Sequence, residues 1–165
     1  MIRWEITPDN TTLLTEIKEF EGTKEYQAAW KQKSFRNGRF WVYKDHLGYD
    51  TIGYGHLVKK GEDFSKGLTE AEAERLLATD LKTSVEAAFD IATKKNISDQ
   101  FIIQLTLVEM VFQLGKEGVL GFSNTLSKMA SKDYRGAADG MLNSKWARQT
   151  PERVSKMAER VRALA

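Results

Sequence analysis

The residues able to do chemistry crowd into one stretch of this chain, WVYKDHLGYDTIGYGH from Trp41 to His56. It holds both histidines, a carboxylate at Asp45, a threonine at Thr51 and glycines at Gly48, Gly53 and Gly55. A second carboxylate, Glu21, closes an apolar-periodic segment and precedes Gly22. Carboxylates on opposite walls of a cleft can divide labour, one protonated and acting as general acid, the other ionised and orienting water or stabilising positive charge. Glycosidic bond hydrolysis needs that division. Thr51, on the return side of the hairpin that begins near Asp45, offers a hydroxyl that could hold a water beside it. The plainer alternative stays open on spacing alone: most of the 23 acidic residues are solvated surface groups, and threonine is common in strands.

The elements that must carry these groups can be read from periodicity. TTLLTEIKEFEG has threonines as helix caps, an apolar stripe of Leu13, Leu14, Ile17 and Phe20, and Gly22 as a stop, which puts Glu21 in the last turn. Asn37-Gly38 between strand-like runs signals a tight hairpin. A second hairpin follows, with DHLG as its turn and YDTIGYGH as its return strand. From Thr69 the period becomes helical: Thr69 and Glu72 form a capping box, and Ala73, Leu77, Leu81, Val85 and Phe89 recur every fourth residue, widened by Leu76 and Ala88. DQFIIQLTLVEMVFQLG is apolar nearly all round and reads as a buried helix. Gly115, Gly118 and Gly121 then punctuate a loop, and helices are expected near 123–130, 133–143 and 151–163, the last with Thr150 as cap and Pro151 at its first position. The expected class is α+β: one domain over 1–165, with a sheet lobe at about 13–68, a connecting helix at about 69–90 and a helical lobe at about 91–165, preceded by an N-terminal extension over 1–10.

Composition narrows the function. No apolar run approaches a membrane span, MIRWEITPDN lacks a signal pattern, and a net charge of +2 is too slight for a nucleic-acid footprint. Without cysteine, and with two histidines ten residues apart, cofactor-free and metal-free chemistry is expected.

The segment YKDHLGYDTIGYGH resembles the signature of phage-type lysozymes, muramidases in which a glutamate-glycine pair precedes an aspartate, a threonine and a Gly-x-Gly-His strand. LTEAEAERLLATDL is similar to the family's lobe-connecting helix, MVFQLGKEGVLGFSNTL to its buried helix and following loop, and SKWARQTPERV to its late tryptophan and Gln-Thr-Pro-x-Arg turn. The resemblance implies a lysozyme-like fold and cofactor-free cleavage of the β-1,4 bond between N-acetylmuramic acid and N-acetylglucosamine in bacterial peptidoglycan, with inversion. It makes Glu21 the proton donor, Asp45 the second carboxylate and Thr51 the threonine beside the attacking water. It assigns Leu57, Phe112, Gln113 and Thr125 to sugar contacts, Arg153 to the neighbourhood of the glutamate, and His56 to a structural pairing with Asp80. A monomer is expected, acting on the wall after release from the host cytoplasm or from a virion tail, with a holin or tail component as delivery partner.

Two departures from the family pattern stand out. The carboxylates are separated by GTKEYQAAWKQKSFRNGRFWVYK, a stretch that looks to contain a hairpin insertion of about a dozen or more residues, and its 23–40 part interleaves bases with aromatics. Glu19 and Glu25 compete for the acid's place, although Glu21 alone precedes glycine. Glu109 stands on the buried helix where the family has a neutral amide, either as a paired core acid or as an extra cleft carboxylate. A wall-binding or tail-structural module that keeps the fold without turnover is the alternative function. A lytic transglycosylase is a third, disfavoured by the presence of Asp45 with Thr51.

Overall fold

The computed structural model describes residues 3–97 and 100–165. The class is α+β, mostly helical with two small antiparallel sheets. The chain divides into two compact units, Pro8–Leu81 and Lys82–Ala165, the latter joined by the N-terminal segment through Thr7.

In the first unit, helix α1 (Thr11–Glu21) is capped by Asn10, whose side chain accepts from the Leu13 N–H at 3.1 Å, and not by the threonines that follow it. Asparagine leads among caps because its short amide reaches that donor without strain. Leu13 and Ile17 are buried, and the helix stops at Gly22, whose φ of 109° is open to glycine at little cost. The insertion is not mainly a hairpin. Thr23 caps a helix α2 (Lys24–Ala29), and a short turn over Lys31–Lys33 leads into the hairpin of β1 (Phe35–Arg36) and β2 (Arg39–Phe40). Asn37 and Gly38 both take positive φ there, as the tight turn requires.

The second sheet has three antiparallel strands, β3 (Tyr43–Lys44), β4 (Asp50–Ile52) and β5 (His56–Leu57). The expected single return strand YDTIGYGH is thus folded in two. Gly53 and Gly55, at φ 65° and 84°, turn the chain so that His56 pairs back on Ile52 and Leu57 on Thr51. Helix α3 (Glu70–Lys95) opens on the capping box, with Thr69 N–H donating to Glu72 at 2.8 Å and Glu72 N–H donating to Thr69 Oγ1 at 3.1 Å. Ala73, Leu77, Leu81, Val85 and Ala88 are buried, and the stripe continues through Ile91 and Ala92. Phe89 is off the stripe, half-exposed, with its ring edge-on to Trp4. Asn96, in the left-handed region, ends the helix. The units divide within α3, after Leu81.

In the second unit, α4 (Phe101–Leu120) buries Ile103, Leu105, Leu107, Val108 and Met110. The expected start at Asp99 lies outside the described residues, as do Met1 and Ile2 of the expected extension. The glycines after α4's apolar run make no long loop. Only Gly115 breaks the helix, at φ 77° and ψ 163°, and Gly121 caps its end. Then come α5 (Ser123–Ala130), α6 (Tyr134–Leu142), α7 (Lys145–Gln149) and α8 (Pro151–Arg162). Helix α7, capped by Ser144, occupies a stretch the periodicity treats as a connection, since five residues are too few to show a helical stripe. Ile6 is buried, and the Gln104 side chain fastens the segment before α1 by accepting from Glu5 N–H and donating to the Arg3 carbonyl. No helix among the described residues is long and apolar enough to cross a membrane.

Candidate active site

Glu21 is the last residue of α1, and its carboxyl rests on bare backbone. A Cβ built on Gly55 would lie 2.6 Å from both Cδ and Oε1 of Glu21. Glycine is therefore required there twice over, for its φ and for the space the carboxyl fills. The alignment is fastened by Gln27, fully buried on α2. Its Nε2 donates to the carbonyls of Gly22 and Gly53, each at 2.8 Å, while its Oε1 accepts from Ser34 Oγ at 2.8 Å. One amide so ties the residue after Glu21 to the turn that bears Gly55. Glu19 and Glu25, the competing acids, are exposed, whereas Glu21 is half-buried.

Asp45 follows β3. Its Oδ1 accepts from the N–H groups of Leu47 and Tyr49, at 2.9 and 2.8 Å, which fixes the carboxylate within its own turn. Thr51, buried on β4, donates its hydroxyl proton to the Tyr49 carbonyl at 3.1 Å, leaving its oxygen lone pairs to accept. Tyr49 backbone groups therefore hold both side chains. Tyr43 is the cross-strand partner of Thr51 and is buried. Burial chiefly, then the charges of Glu21 and Asp45, push its phenol well above the ordinary tyrosine value, so both carboxylates bear on one ring. Leu57, paired with Thr51 across the sheet, is 52% exposed.

The remaining expected contacts lie in the other unit. Gln113 is held at both ends, accepting from Trp146 Nε1 at 2.8 Å and donating to Thr150 Oγ1 at 3.2 Å. Phe112 is half-buried beside it, and Arg153 is half-buried on the first turn of α8. Thr125 is buried and lines an open pocket of about 640 Å³ with Leu114, Phe122, Asn143 and Trp146. Glu109 belongs to the core: it has no exposed surface, and its Oε1 accepts from Arg160 Nη2 at 2.9 Å. The first of its two alternatives holds.

His56 is braced on both ring nitrogens, with Nδ1 2.8 Å from Asp80 and Nε2 3.0 Å from Glu62. Asp80 is the expected partner; Glu62, six residues along a loop, is not visible from periodicity. The Asp80 hydrogen bond, opposed by burial and aided by Glu62, raises the histidine above its ordinary 6.5. Desolvation pulls Glu62 up, but hydrogen bonds from His56 and the Lys59 N–H outweigh it and leave the carboxyl below its ordinary 4.5. A raised histidine adds stability that is complete below the unfolded value and is lost as pH rises through the folded one; the lowered Glu62 adds stability lost as pH falls through its folded value. Melting temperature is therefore expected to peak between the two ordinary values, 4.5 and 6.5. In His56→Gln, melts recorded from about pH 6 to about pH 9 should show a shallower decline than the native chain. An identical slope would mean that the brace contributes nothing.

The sequence pattern of the phage lysozyme family matches residues 33–163. The chain belongs to the phage lysozyme family. "Probable T4-type lysozyme 1" of Dictyostelium discoideum is 30% identical over 141 residues, covering 70% of this chain and 82% of that protein. "Peptidoglycan hydrolase gp36" of Pseudomonas phage phiKMV is 27% identical over 135 residues, 80% of this chain but 15% of the relative. "Pre-baseplate central spike protein Gp5" of Enterobacteria phage T4 is 28% identical over 144 residues, 72% of this chain and 24% of the relative. The phage lysozyme match includes Asp45, Thr51, Leu57, Phe112, Gln113, Thr125 and Arg153, and begins after Glu21. Gln27 and Tyr43 are the residues that sequence reasoning missed: nothing local marks a buried glutamine in a lysine-rich segment, and Tyr43 is unremarkable until its burial is known.

Proposed function

We propose that the protein is a muramidase that hydrolyses the β-1,4 bond between N-acetylmuramic acid and N-acetylglucosamine in bacterial peptidoglycan. The observation that carries this reading is the seating of Glu21 against Gly55 in the unit that also anchors Asp45 and Thr51 in the Tyr49 turn. Glu21 gives its proton to the departing glycosidic oxygen. Asp45 accepts a proton from a water that Thr51 helps hold, and that water bonds to the anomeric carbon from the opposite face, inverting it. Leu57, Phe112, Gln113, Thr125 and Arg153 are assigned to substrate binding from the family likeness. The protein acts on the wall as a single chain, delivered by membrane permeabilisation or on a virion tail.

The likeness to the central spike protein supports a place in a virion tail, and the second reading is a tail module that lacks turnover. Digesting purified sacculi separates the readings. A muramidase releases muropeptides with reducing muramic acid ends, a transglycosylase releases anhydro ends, and a structural module releases neither; the first-formed anomer reports inversion. In the same assay Gly55→Ala should reduce release about a hundredfold, because its Cβ displaces the Glu21 carboxyl and misplacements of about an ångström cost that much. Near-native release by a folded Gly55→Ala protein would show that the position of Glu21 is immaterial.

A further inference from the structure

The turn between α2 and β1 holds three consecutive non-glycine residues in the left-handed region, Lys31, Gln32 and Lys33, at φ 51°, 63° and 55°. Each such residue is less favourable there than in the right-handed form because its Cβ crowds the following carbonyl, and strain of this kind persists only where surrounding contacts enforce it. Here Gln32 enforces it. Its side-chain amide pairs with the edge of β3 in both directions, Oε1 accepting from the Lys44 N–H at 3.2 Å and Nε2 donating to the Lys44 carbonyl at 3.5 Å. Arg36 Nη1 adds a hydrogen bond to the Lys33 carbonyl at 2.9 Å.

The strained turn brings Lys31 against the end of α1 and over Tyr43 of β3. The Lys31 arm lies against Gly22, its Cε 3.2 Å from where a Cβ would stand, and its ammonium sits 5.0 Å above the ring of Tyr43. Arg36 stacks over Trp41 at 5.2 Å, and Trp30, immediately before the turn, is 64% exposed. Neighbouring bases face acids: Lys24 pairs with Glu70 at 2.6 Å, Lys44 with Asp50 at 2.6 Å, and Arg39 lies 3.8 Å from Glu72. Among the described residues Lys31, Lys33 and Arg36 have no carboxylate partner. Three cations within six positions of sequence, directly after an exposed tryptophan, leave positive charge available to an anion.

We infer that Lys31, Lys33 and Arg36, with Trp30, form a subsite for the carboxylates of the peptides borne by the glycan strand. The inference rests on the muramidase reading and adds to it a contact on the Glu21 side of the sheet unit. Trp30 offers a face to sugar or peptide, and the cations meet the peptide carboxylates.

The test uses the full chain in a Glu21→Gln background, so that sacculi stay intact while binding is measured. Replacing Lys31, Lys33 and Arg36 with serine should weaken binding about tenfold at low salt, as expected for three solvent-screened charge contacts, and the difference should shrink as salt rises. The parent should bind sacculi whose carboxyls have been converted to amides as weakly as the serine variant binds untreated ones. Lys31→Arg with Lys33→Arg should retain affinity. Unchanged binding by a serine variant with a native melting temperature overturns the inference. So does full binding of the parent to amidated sacculi, which would assign the cations to phosphate polymers or to no wall anion. Failure of the muramidase reading is recognised separately, as absence of reducing ends from sacculi treated with the native chain.

Discussion

Glu21→Gln should all but abolish muropeptide release, by about two to four orders of magnitude, the usual worth of a positioned general acid. The amide has the shape of the protonated carboxyl and fits the same seat against Gly55, so the melting temperature should not move. What it lacks is a proton to give the departing oxygen. Sacculus digestion with quantified reducing ends measures the loss directly, and binding to sacculi should persist. If Glu21→Gln digests at the native rate, the acid lies elsewhere. Glu109 is then a poor candidate, being fully buried against Arg160, and the exposed Glu19 and Glu25 would come first.

The largest expected effect on stability comes from Arg160→Ala. Glu109 on α4 has no exposed surface, and Arg160 on α8 donates to it at 2.9 Å. Removing one member of a buried pair takes a charge-assisted hydrogen bond from the other in a poorly solvating interior and typically costs about 3–5 kcal/mol. Replacing both with methionine removes the need for compensation and should restore stability to near the native value or above it. Urea melts of the single and double variants decide the matter: a loss under about 1 kcal/mol in Arg160→Ala would mean that water or another group satisfies Glu109.

The features legible in the sequence were those whose physical cause is local. Asn37-Gly38 demands positive φ at adjacent residues, and Thr69 with Glu72 satisfies helix-end donors within three positions; both stand as expected. The Asp45 turn and the glycines of β4–β5 were legible as a motif, though not the second fold of the chain that Gly53 and Gly55 produce. Helix α2 was obscured by the basic and aromatic composition of the segment around it and by its six-residue length, although Thr23 and the Gln-Ala-Ala run supply an ordinary cap and good helix formers. Gln27 and Glu62 act across 26 and 6 residues respectively, through contacts that no periodicity encodes. Three left-handed residues in Lys-Gln-Lys carry no signature at all, since none is a residue that favours that conformation.

The Gln27 amide has a consequence for how this chain can change. Its bonds to Gly22 and Gly53 stitch the 23–40 segment to the end of α1 and to the turn at Gly53, and its bond to Ser34 ties the segment to itself. The segment is therefore a splint rather than an ornament on a loop. Excising it would leave the Gly22 and Gly53 carbonyls without their donor and the end of α1 without its fastening to the turn at Gly53. Within the segment Gln27 serves the fold, while Lys31, Lys33 and Arg36 serve the proposed anion subsite.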